Sequence, residues 1–163
     1  MDFAIFISFF IAQRISELFL AKNNERWLRA NGAIEYGQRH YPYIVILHVL
    51  FIASMIAEYL FSSDTHFSLV FLLLYILLFS SKIWVIASLG TFWNTKIFRL
   101  PGTLPVRKGL YKFFKHPNYL IVIGEFIVVP LVFHLYYTAI IFSVLNFIVL
   151  WVRVRAENLV WNS

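Results

Sequence analysis

The chain has 163 residues, of which 61% are hydrophobic and 13% are charged, and its formal net charge is +6. Soluble domains are about half apolar and about a quarter charged, so this composition argues against a water-soluble fold, a disordered chain and most nucleic-acid-binding modules. The chain contains no cysteine, which excludes disulfides, thiol catalysis and cysteine-ligated metals, and we expect no metal site.

Apolar runs predict an all-α, polytopic membrane protein with about five transmembrane helices. A membrane-spanning helix needs about 20 mostly apolar residues, and the predicted spans are residues 3–21, 41–61, 67–89, 118–133 and 135–152. The last two spans come from one apolar block that Pro130 and His134 interrupt, so we predict that they form a helical hairpin. The whole chain, residues 1–163, is interpreted as one integral membrane domain.

Lysine and arginine lie on one side of these spans. Four follow the first span, six lie in the loop of residues 90–117, two follow the fifth span, and Arg14 and Lys82 fall inside spans. Because cytoplasmic segments carry the excess of positive charge, we predict an outer N-terminus, with the loop 90–117 and the tail 153–163 in the cytoplasm. Anionic lipid headgroups then account for the net charge, and no nucleic-acid partner is required.

Glu125 is an ionisable residue inside the fourth predicted span. Such residues are costly in a bilayer and are candidates for function. Glu125 lies seven residues beyond Asn118, which places both on one helix face. A carboxylate at that depth needs a polar ligand or a basic partner, for which Lys82 and Arg153 are available.

The residues that begin the fourth span predict a polar site. Proline is favoured at the first position of a helix, and the residue before it avoids helical angles. We therefore expect His116 to cap a helix that begins at Pro117, with the backbone amides of Asn118 and Tyr119 free to bind an anion. An ordinary helix start at the membrane interface, with basic flanking residues, is the alternative.

The residues that follow the fifth span form a second polar cluster, Arg153, Arg155 and Glu157. If the last two spans are antiparallel, this cluster lies beside His116 and Tyr119 at one membrane depth. Two converging polar clusters favour a functional site over two unrelated helix ends.

The same residues resemble the isoprenylcysteine carboxyl methyltransferase family. Its pattern of G-x-Y, R-H-P-x-Y, a hydrophobic hairpin and R-x-R-x-E-E is similar to Gly109–Tyr111, Lys115–Tyr119 and Arg153–Glu157. The N-terminal half, with Gln13-Arg14, Glu17, Gly32 and His40-Tyr41-Pro42, resembles a bacterial subgroup, which implies a bacterial cell membrane as the location. Two positions depart from the pattern: Lys115 stands for the usual arginine, and Asn158 stands for the second glutamate.

This resemblance implies an S-adenosylmethionine-dependent methyltransferase. The expected acceptor is the oxygen of a carboxylate, enol or phenol in a lipophilic, membrane-partitioned substrate, for instance an alkylpyrone-like lipid. The implied cofactor-binding residues are Tyr111, His116, Pro117, Asn118, Tyr119, Arg155 and Glu157, with Tyr111 or Tyr119 on the adenine. Glu125 is added to them by helical spacing, and Arg153 and Glu157 are the expected catalytic residues at the acceptor oxygen.

Two other functions fit the sequence. The first is an NADPH-dependent membrane reductase of a lipid enone, in which Lys96, Arg99 or Arg107 binds the 2′-phosphate. The second is a non-catalytic small membrane subunit. The expected partners in every case are membrane lipids, and the sequence predicts no particular oligomeric state.

Overall fold

The computed structural model describes residues 1–162 of the chain, and Ser163, the last residue of the predicted tail, lies outside the described residues. The described part contains five helices: α1 (Phe3–Ala30), α2 (Tyr41–Phe61), α3 (Leu69–Leu89), α4 (Pro117–Leu131) and α5 (Tyr136–Asn162). The predicted all-α fold is confirmed, and α4 and α5 pack together as the predicted hairpin.

The outer surface of the helix bundle is apolar. Helices α1, α2, α3 and α5 are long and apolar enough to cross a membrane, and α4 is a shorter apolar helix of 15 residues. Large apolar side chains face outward, and Phe61 and Leu60 are 90% and 71% exposed. Soluble proteins rarely expose continuous apolar surface of this kind, so the chain is an integral membrane protein whose outer face contacts lipid.

Aromatic side chains form the centre of the bundle. Phe51 of α2 stacks on Phe126 of α4 with ring centroids 4.3 Å apart, and Phe10 of α1 packs edge-on against Phe51. All three are at most 1% exposed. Because lipid tails are as apolar as these rings, close van der Waals packing, and not exclusion from water, favours this arrangement.

The turn between α4 and α5 is held by α2. His134 adopts a left-handed conformation in this turn, with φ 57°. The Glu58 carboxylate, near the end of α2, accepts hydrogen bonds from the backbone amides of Tyr137 at 3.0 Å and Thr138 at 2.7 Å. Glu58 therefore caps the first turn of α5, where unpaired amides and the helix dipole favour a negative charge.

A cluster of charged side chains lies in the interior between α1, α3 and α4. The fully buried Glu125 carboxylate accepts hydrogen bonds from Arg14 at 2.7 Å, Lys82 at 3.0 Å and Gln13 at 3.4 Å. Glu17 pairs with the same two cations, 3.0 Å from Arg14 and 3.5 Å from Lys82. Two carboxylates and two cations balance, and we call Arg14, Glu17, Lys82 and Glu125 the charged cluster.

Two helices are longer than the predicted spans. They extend at the end of the bundle that carries most of the lysine and arginine, which we call the basic end. Helix α1 continues past residue 21 to Ala30, and α5 continues past residue 152, so that the described part of the predicted tail is helical. Polar residues end a membrane span without ending a helix, because most of them have adequate helix propensity.

The basic end also contains a small sheet that the sequence did not predict. Strand β1 (Ile34–Tyr36) pairs antiparallel with strand β2 (Ile97–Arg99), with Glu35 opposite Phe98. The pairing joins the α1–α2 connection to the loop 90–117. That loop is therefore ordered by contacts with the N-terminal part of the chain.

Candidate functional site

A cavity of about 470 Å³ opens at the basic end of the bundle. Its walls are the first turn of α4, the part of α5 around Arg153, the loop between α3 and α4, and Leu28 of α1. The predicted site residues that line it are Tyr111, His116, Asn118, Tyr119, Arg153 and Glu157. Small-molecule sites usually have volumes of about 300–1,000 Å³, so the cavity has the size of a ligand site.

The first turn of α4 places three of these residues. Pro117 is the first helical residue, and His116 precedes it in a non-helical conformation (φ −132°, ψ 63°), as the sequence predicts. The Tyr119 amide, however, donates to the His116 carbonyl oxygen at 3.1 Å. The expectation that this amide is free to bind an anion is wrong, because a tight first turn uses it.

A chain of hydrogen bonds joins α4 to α5 across the cavity wall. The Tyr119 hydroxyl donates to the Glu157 carboxylate and accepts from Nε of Arg153 at 2.8 Å. His116 lies beside this chain: its Nδ1 is 3.7 Å from Oε1 of Glu157, and its ring stacks on Tyr119 with centroids 5.3 Å apart. The predicted convergence of the two polar clusters is therefore present in the structure.

Arg153 is a buried cation at the cavity, only 9% exposed. Besides Tyr119, its Nη2 donates to the backbone carbonyl oxygen of Thr95 at 2.5 Å. No carboxylate of the described residues lies within 4 Å of its guanidinium. A guanidinium has five N–H donors and is always charged, so Arg153 presents an uncompensated positive charge and further donors to a ligand.

Three buried polar atoms of the cavity wall have no hydrogen-bond partner. They are Nε1 of Trp93, Nε2 of His116 and Oδ1 of Asn118. An unpaired buried polar atom costs about 1–3 kcal/mol, so a polar ligand that satisfied these atoms would gain that much from each. Trp93, 3% exposed, was not predicted as a site residue; its only sequence signal is an aromatic residue in a turn-rich loop.

A tight turn brings Tyr111 to the cavity. Gly109 begins a 3₁₀ turn (Gly109–Lys112) with φ 54°, and a Cβ at this position would overlap Oγ of Ser88 and lie 3.1 Å from Nε1 of Trp84. Only glycine combines that conformation with that close approach. Burial, and secondly the Glu157 carboxylate, raises the pKa of Tyr111, so its phenol stays protonated at neutral pH.

Three predicted cofactor-binding residues do not line this cavity. Glu125 is held in the charged cluster, where it pairs with Lys82, one of the two basic partners that the sequence offered, and with Arg14. Arg155 is exposed on the opposite face of α5, where its guanidinium lies 3.7 Å from the ring centroid of Trp151. Pro117 is buried and fixes the start of α4 without contacting the cavity.

The two departures from the family pattern lie in contact with each other. Nζ of Lys115 donates to Oδ1 of Asn158 at 2.6 Å, beside the cavity rim. A lysine and an asparagine therefore hold this contact, where the family pattern has an arginine and a glutamate. The contact retains a cation, Lys115, and has the neutral amide of Asn158 in place of a carboxylate.

Comparison with known proteins assigns the family. Residues 72–162, more than half of the chain, match the isoprenylcysteine carboxyl methyltransferase (ICMT) family. The chain belongs to this family. ICMT-family proteins are membrane methyltransferases that use S-adenosylmethionine, and the matched segment includes α4, α5 and the described residues that line the cavity, apart from Leu28 of α1.

Two curated bacterial proteins are similar to this ICMT-family chain over nearly their whole length. The uncharacterized protein YpbQ of Bacillus subtilis is 43% identical over 159 residues, which cover 96% of this chain and 94% of YpbQ. An uncharacterized protein of Haemophilus influenzae is 32% identical over 154 residues, covering 91% of this chain and 88% of that protein. No solved structure matches the chain.

Proposed function

We propose that this chain is an S-adenosylmethionine-dependent O-methyltransferase whose acceptor is a lipophilic molecule that enters from the bilayer. The observation that carries the proposal is the hydrogen-bonded series Arg153–Tyr119–Glu157 on the wall of a ligand-sized cavity. It places a buried cation and a carboxylate on the two sides of one phenol. Family membership supports methyl transfer, and the apolar outer surface supports a substrate that partitions into the membrane.

The cavity wall fits the polar groups of the cofactor. S-adenosylmethionine carries an amino acid, a ribose and an adenine, which need hydrogen-bond donors and acceptors and an aromatic surface. Trp93, His116 and Asn118 offer the unpaired polar atoms. Because His116 already stacks on the ring of Tyr119, the adenine is assigned to Tyr111.

Arg153 is assigned to the acceptor. When bound, the cofactor supplies an electrophilic methyl group on a sulfonium, which an oxygen nucleophile accepts as a neutral thioether leaves. The Arg153 guanidinium, with Nε and Nη2 fixed by Tyr119 and Thr95, directs its remaining donors at an anionic acceptor oxygen and orients it. A buried site with little water strengthens this electrostatic contact.

Glu157 is assigned to proton transfer when the acceptor is a hydroxyl. Its carboxylate accepts the hydrogen bond of Tyr119 and lies within 4 Å of His116 but has no lysine or arginine within that distance among the described residues. It is therefore free to accept the proton of an enol or phenol. A carboxylate acceptor is already ionised at neutral pH and needs no base.

The experiment is methyl transfer from labelled S-adenosylmethionine by the protein purified in detergent. The acceptors are long-chain compounds bearing a carboxylic acid, an enol or a phenol, each paired with a short-chain analogue of the same reacting group. We expect transfer to the long-chain members, loss of about 100-fold or more in kcat/KM in Arg153→Ala, and wild-type activity in Arg26→Ala, a control arginine exposed on α1.

Glu157→Gln separates the acceptor classes. It should abolish transfer to a phenol and leave transfer to a carboxylate largely intact. Absence of saturable S-adenosylmethionine binding, or full turnover in Arg153→Ala, contradicts the proposal. Saturable NADPH binding would favour the reductase instead, although Lys96, one of its expected phosphate ligands, is already paired with Glu25 and Glu35.

A further inference from the structure

The carbonyl oxygen of Thr95 is one of the two anchors of Arg153, and a backbone atom is only as well fixed as its segment. The segment Trp93–Lys96 is neither helix nor strand, and strand β2 follows it directly. Trp93, Asn94 and Lys96 of this segment line the cavity, and the Thr95 carbonyl oxygen accepts a hydrogen bond from Arg153. What holds this segment therefore decides where Arg153 and part of the cavity wall lie.

The extension of α1 past the predicted span holds the segment on one side. Nδ2 of Asn24 donates to the carbonyl oxygen of Trp93 at 2.7 Å and to that of Gly90 at 3.2 Å. Asn24 is only 7% exposed. Nδ2 of Asn94 in turn donates to the carbonyl oxygen of Ala21 at 2.9 Å, so that α1 and the segment Trp93–Lys96 each donate a hydrogen bond to the other.

The start of α2 holds the segment on the other side. The Tyr41 hydroxyl is hydrogen bonded to the Thr95 hydroxyl at 3.2 Å, and the ring of Tyr41 lies 5.5 Å from Nζ of Lys96. Lys96 is in turn paired with Glu25 of α1 at 3.0 Å. Asn24 and Tyr41 lie before residue 72, outside the segment that matches the family.

We propose that Asn24 and Tyr41 are positioning residues of the methyltransferase site. They fix Trp93–Lys96 so that the Thr95 carbonyl holds the Arg153 guanidinium against the cavity. This inference rests on the proposed function for the role of Arg153. It adds that α1 and α2 position a site whose described lining residues, apart from Leu28 of α1, lie in the C-terminal half.

The test is a double-mutant cycle between Asn24→Ala and Arg153→Lys, with kcat measured at saturating cofactor and acceptor. Loss of an anchor displaces Arg153, and a displacement of about 1 Å can lower a rate up to about 100-fold. We expect Asn24→Ala to lower kcat at least about tenfold in the wild-type background and less than about twofold in the Arg153→Lys background. If Asn24 had a merely structural role, Asn24→Ala would lower kcat by the same factor in both backgrounds.

The chain provides matched controls for each substitution. Asn23, adjacent to Asn24 and exposed, gives Asn23→Ala. Tyr43, on the same helix as Tyr41 and 66% exposed, gives Tyr43→Phe for comparison with Tyr41→Phe. The proposal fails if Asn24→Ala behaves as Asn23→Ala, if Tyr41→Phe behaves as Tyr43→Phe, or if the effect of Asn24→Ala persists in Arg153→Lys.

Hydrogen exchange of the backbone provides a readout that needs no turnover. Asn24→Ala should speed exchange in residues 93–99 and leave the interior of α4 unchanged, whereas Asn23→Ala should change neither. If the wild-type protein transfers no methyl group, the proposed function fails and hydrogen exchange alone decides whether Asn24 anchors the segment. Unchanged exchange in Asn24→Ala overturns the inference even if methyl transfer is established.

Discussion

Removing one charge from the charged cluster should destabilise the protein far more than removing two. Glu125→Met leaves Arg14 and Lys82 facing Glu17 alone, and Lys82→Met leaves Arg14 facing Glu17 and Glu125. The double variant Lys82→Met/Glu125→Met leaves Arg14 and Glu17, which are 3.0 Å apart, as one balanced pair. Both removed side chains are at most 3% exposed, so water cannot compensate the remaining charge.

The contacts of Glu125 set the magnitude. Its carboxylate accepts three side-chain hydrogen bonds, from Arg14, Lys82 and Gln13. Interhelical hydrogen bonds in membrane proteins contribute about 0.6–1.7 kcal/mol each, which gives about 2–5 kcal/mol for three. Breaking a buried ion pair from one side in soluble proteins costs about 3–5 kcal/mol. We therefore expect about 3 kcal/mol from Glu125→Met and a similar loss from Lys82→Met.

The assay is reversible unfolding of the protein in mixed detergent–SDS micelles, followed by far-ultraviolet circular dichroism. The double variant should be more stable than either single variant, which corresponds to a coupling free energy of about 3 kcal/mol or more. Additive losses, within about 0.5 kcal/mol, would show that the four charges act independently and would refute this reasoning.

Gly109→Ala should destabilise the 3₁₀ turn and weaken cofactor binding. Gly102 has a similar positive φ of 77° but open space at its Cβ, so Gly102→Ala should lower stability only by the backbone cost of about 1–2 kcal/mol. Equal thermal midpoints for the two variants would contradict the overlap of an added Cβ with Ser88. Glu58→Ala should lower stability by about 1–2 kcal/mol because two amides of α5 lose their acceptor. Asp64→Asn, in the exposed connection between α2 and α3, is the control in the same unfolding assay and should leave stability unchanged. Arg155→Ala should retain at least about ten times the turnover of Arg153→Ala. A hydrogen bond to a charged group in the cavity contributes about 1.5–3 kcal/mol, and Arg155 does not line the cavity. Equal losses of turnover in the labelled-methyl assay would show that both arginines of the R-x-R pattern are needed for methyl transfer.

The sequence predicted the helices well where lipid contact determines their composition. Helix α2 begins and ends at the predicted residues 41 and 61, because a change from polar to apolar composition coincides with both ends. Helices α1 and α5 extend further because polar residues stop a span but not a helix. Strands β1 and β2 have three residues each and pair across more than 60 positions, too short and too distant to leave a periodic pattern.

The candidate site was predictable where side chains carry the chemistry and a motif fixes their order. His116, Tyr119, Arg153 and Glu157 converge as the hairpin requires. Thr95 was not predictable because it contributes a backbone carbonyl oxygen, which any residue type would supply. The partners of Glu125 were predicted only in part: Lys82 was a candidate, but Arg14 depends on the depth of α1 relative to α4.

Helix α5 is a single rod of 27 residues, about 40 Å long at 1.5 Å per residue. Hydrogen bonds to Glu58 hold its first turn, and Arg153 and Glu157 lie towards its other end. The two residues assigned to catalysis therefore move together when the tilt of α5 changes. Helix tilt is one of the ways in which a membrane protein accommodates a bilayer of different thickness. We therefore expect acyl chain length to change the alignment of these two groups against the loop that carries Thr95, and with it the rate of the proposed reaction.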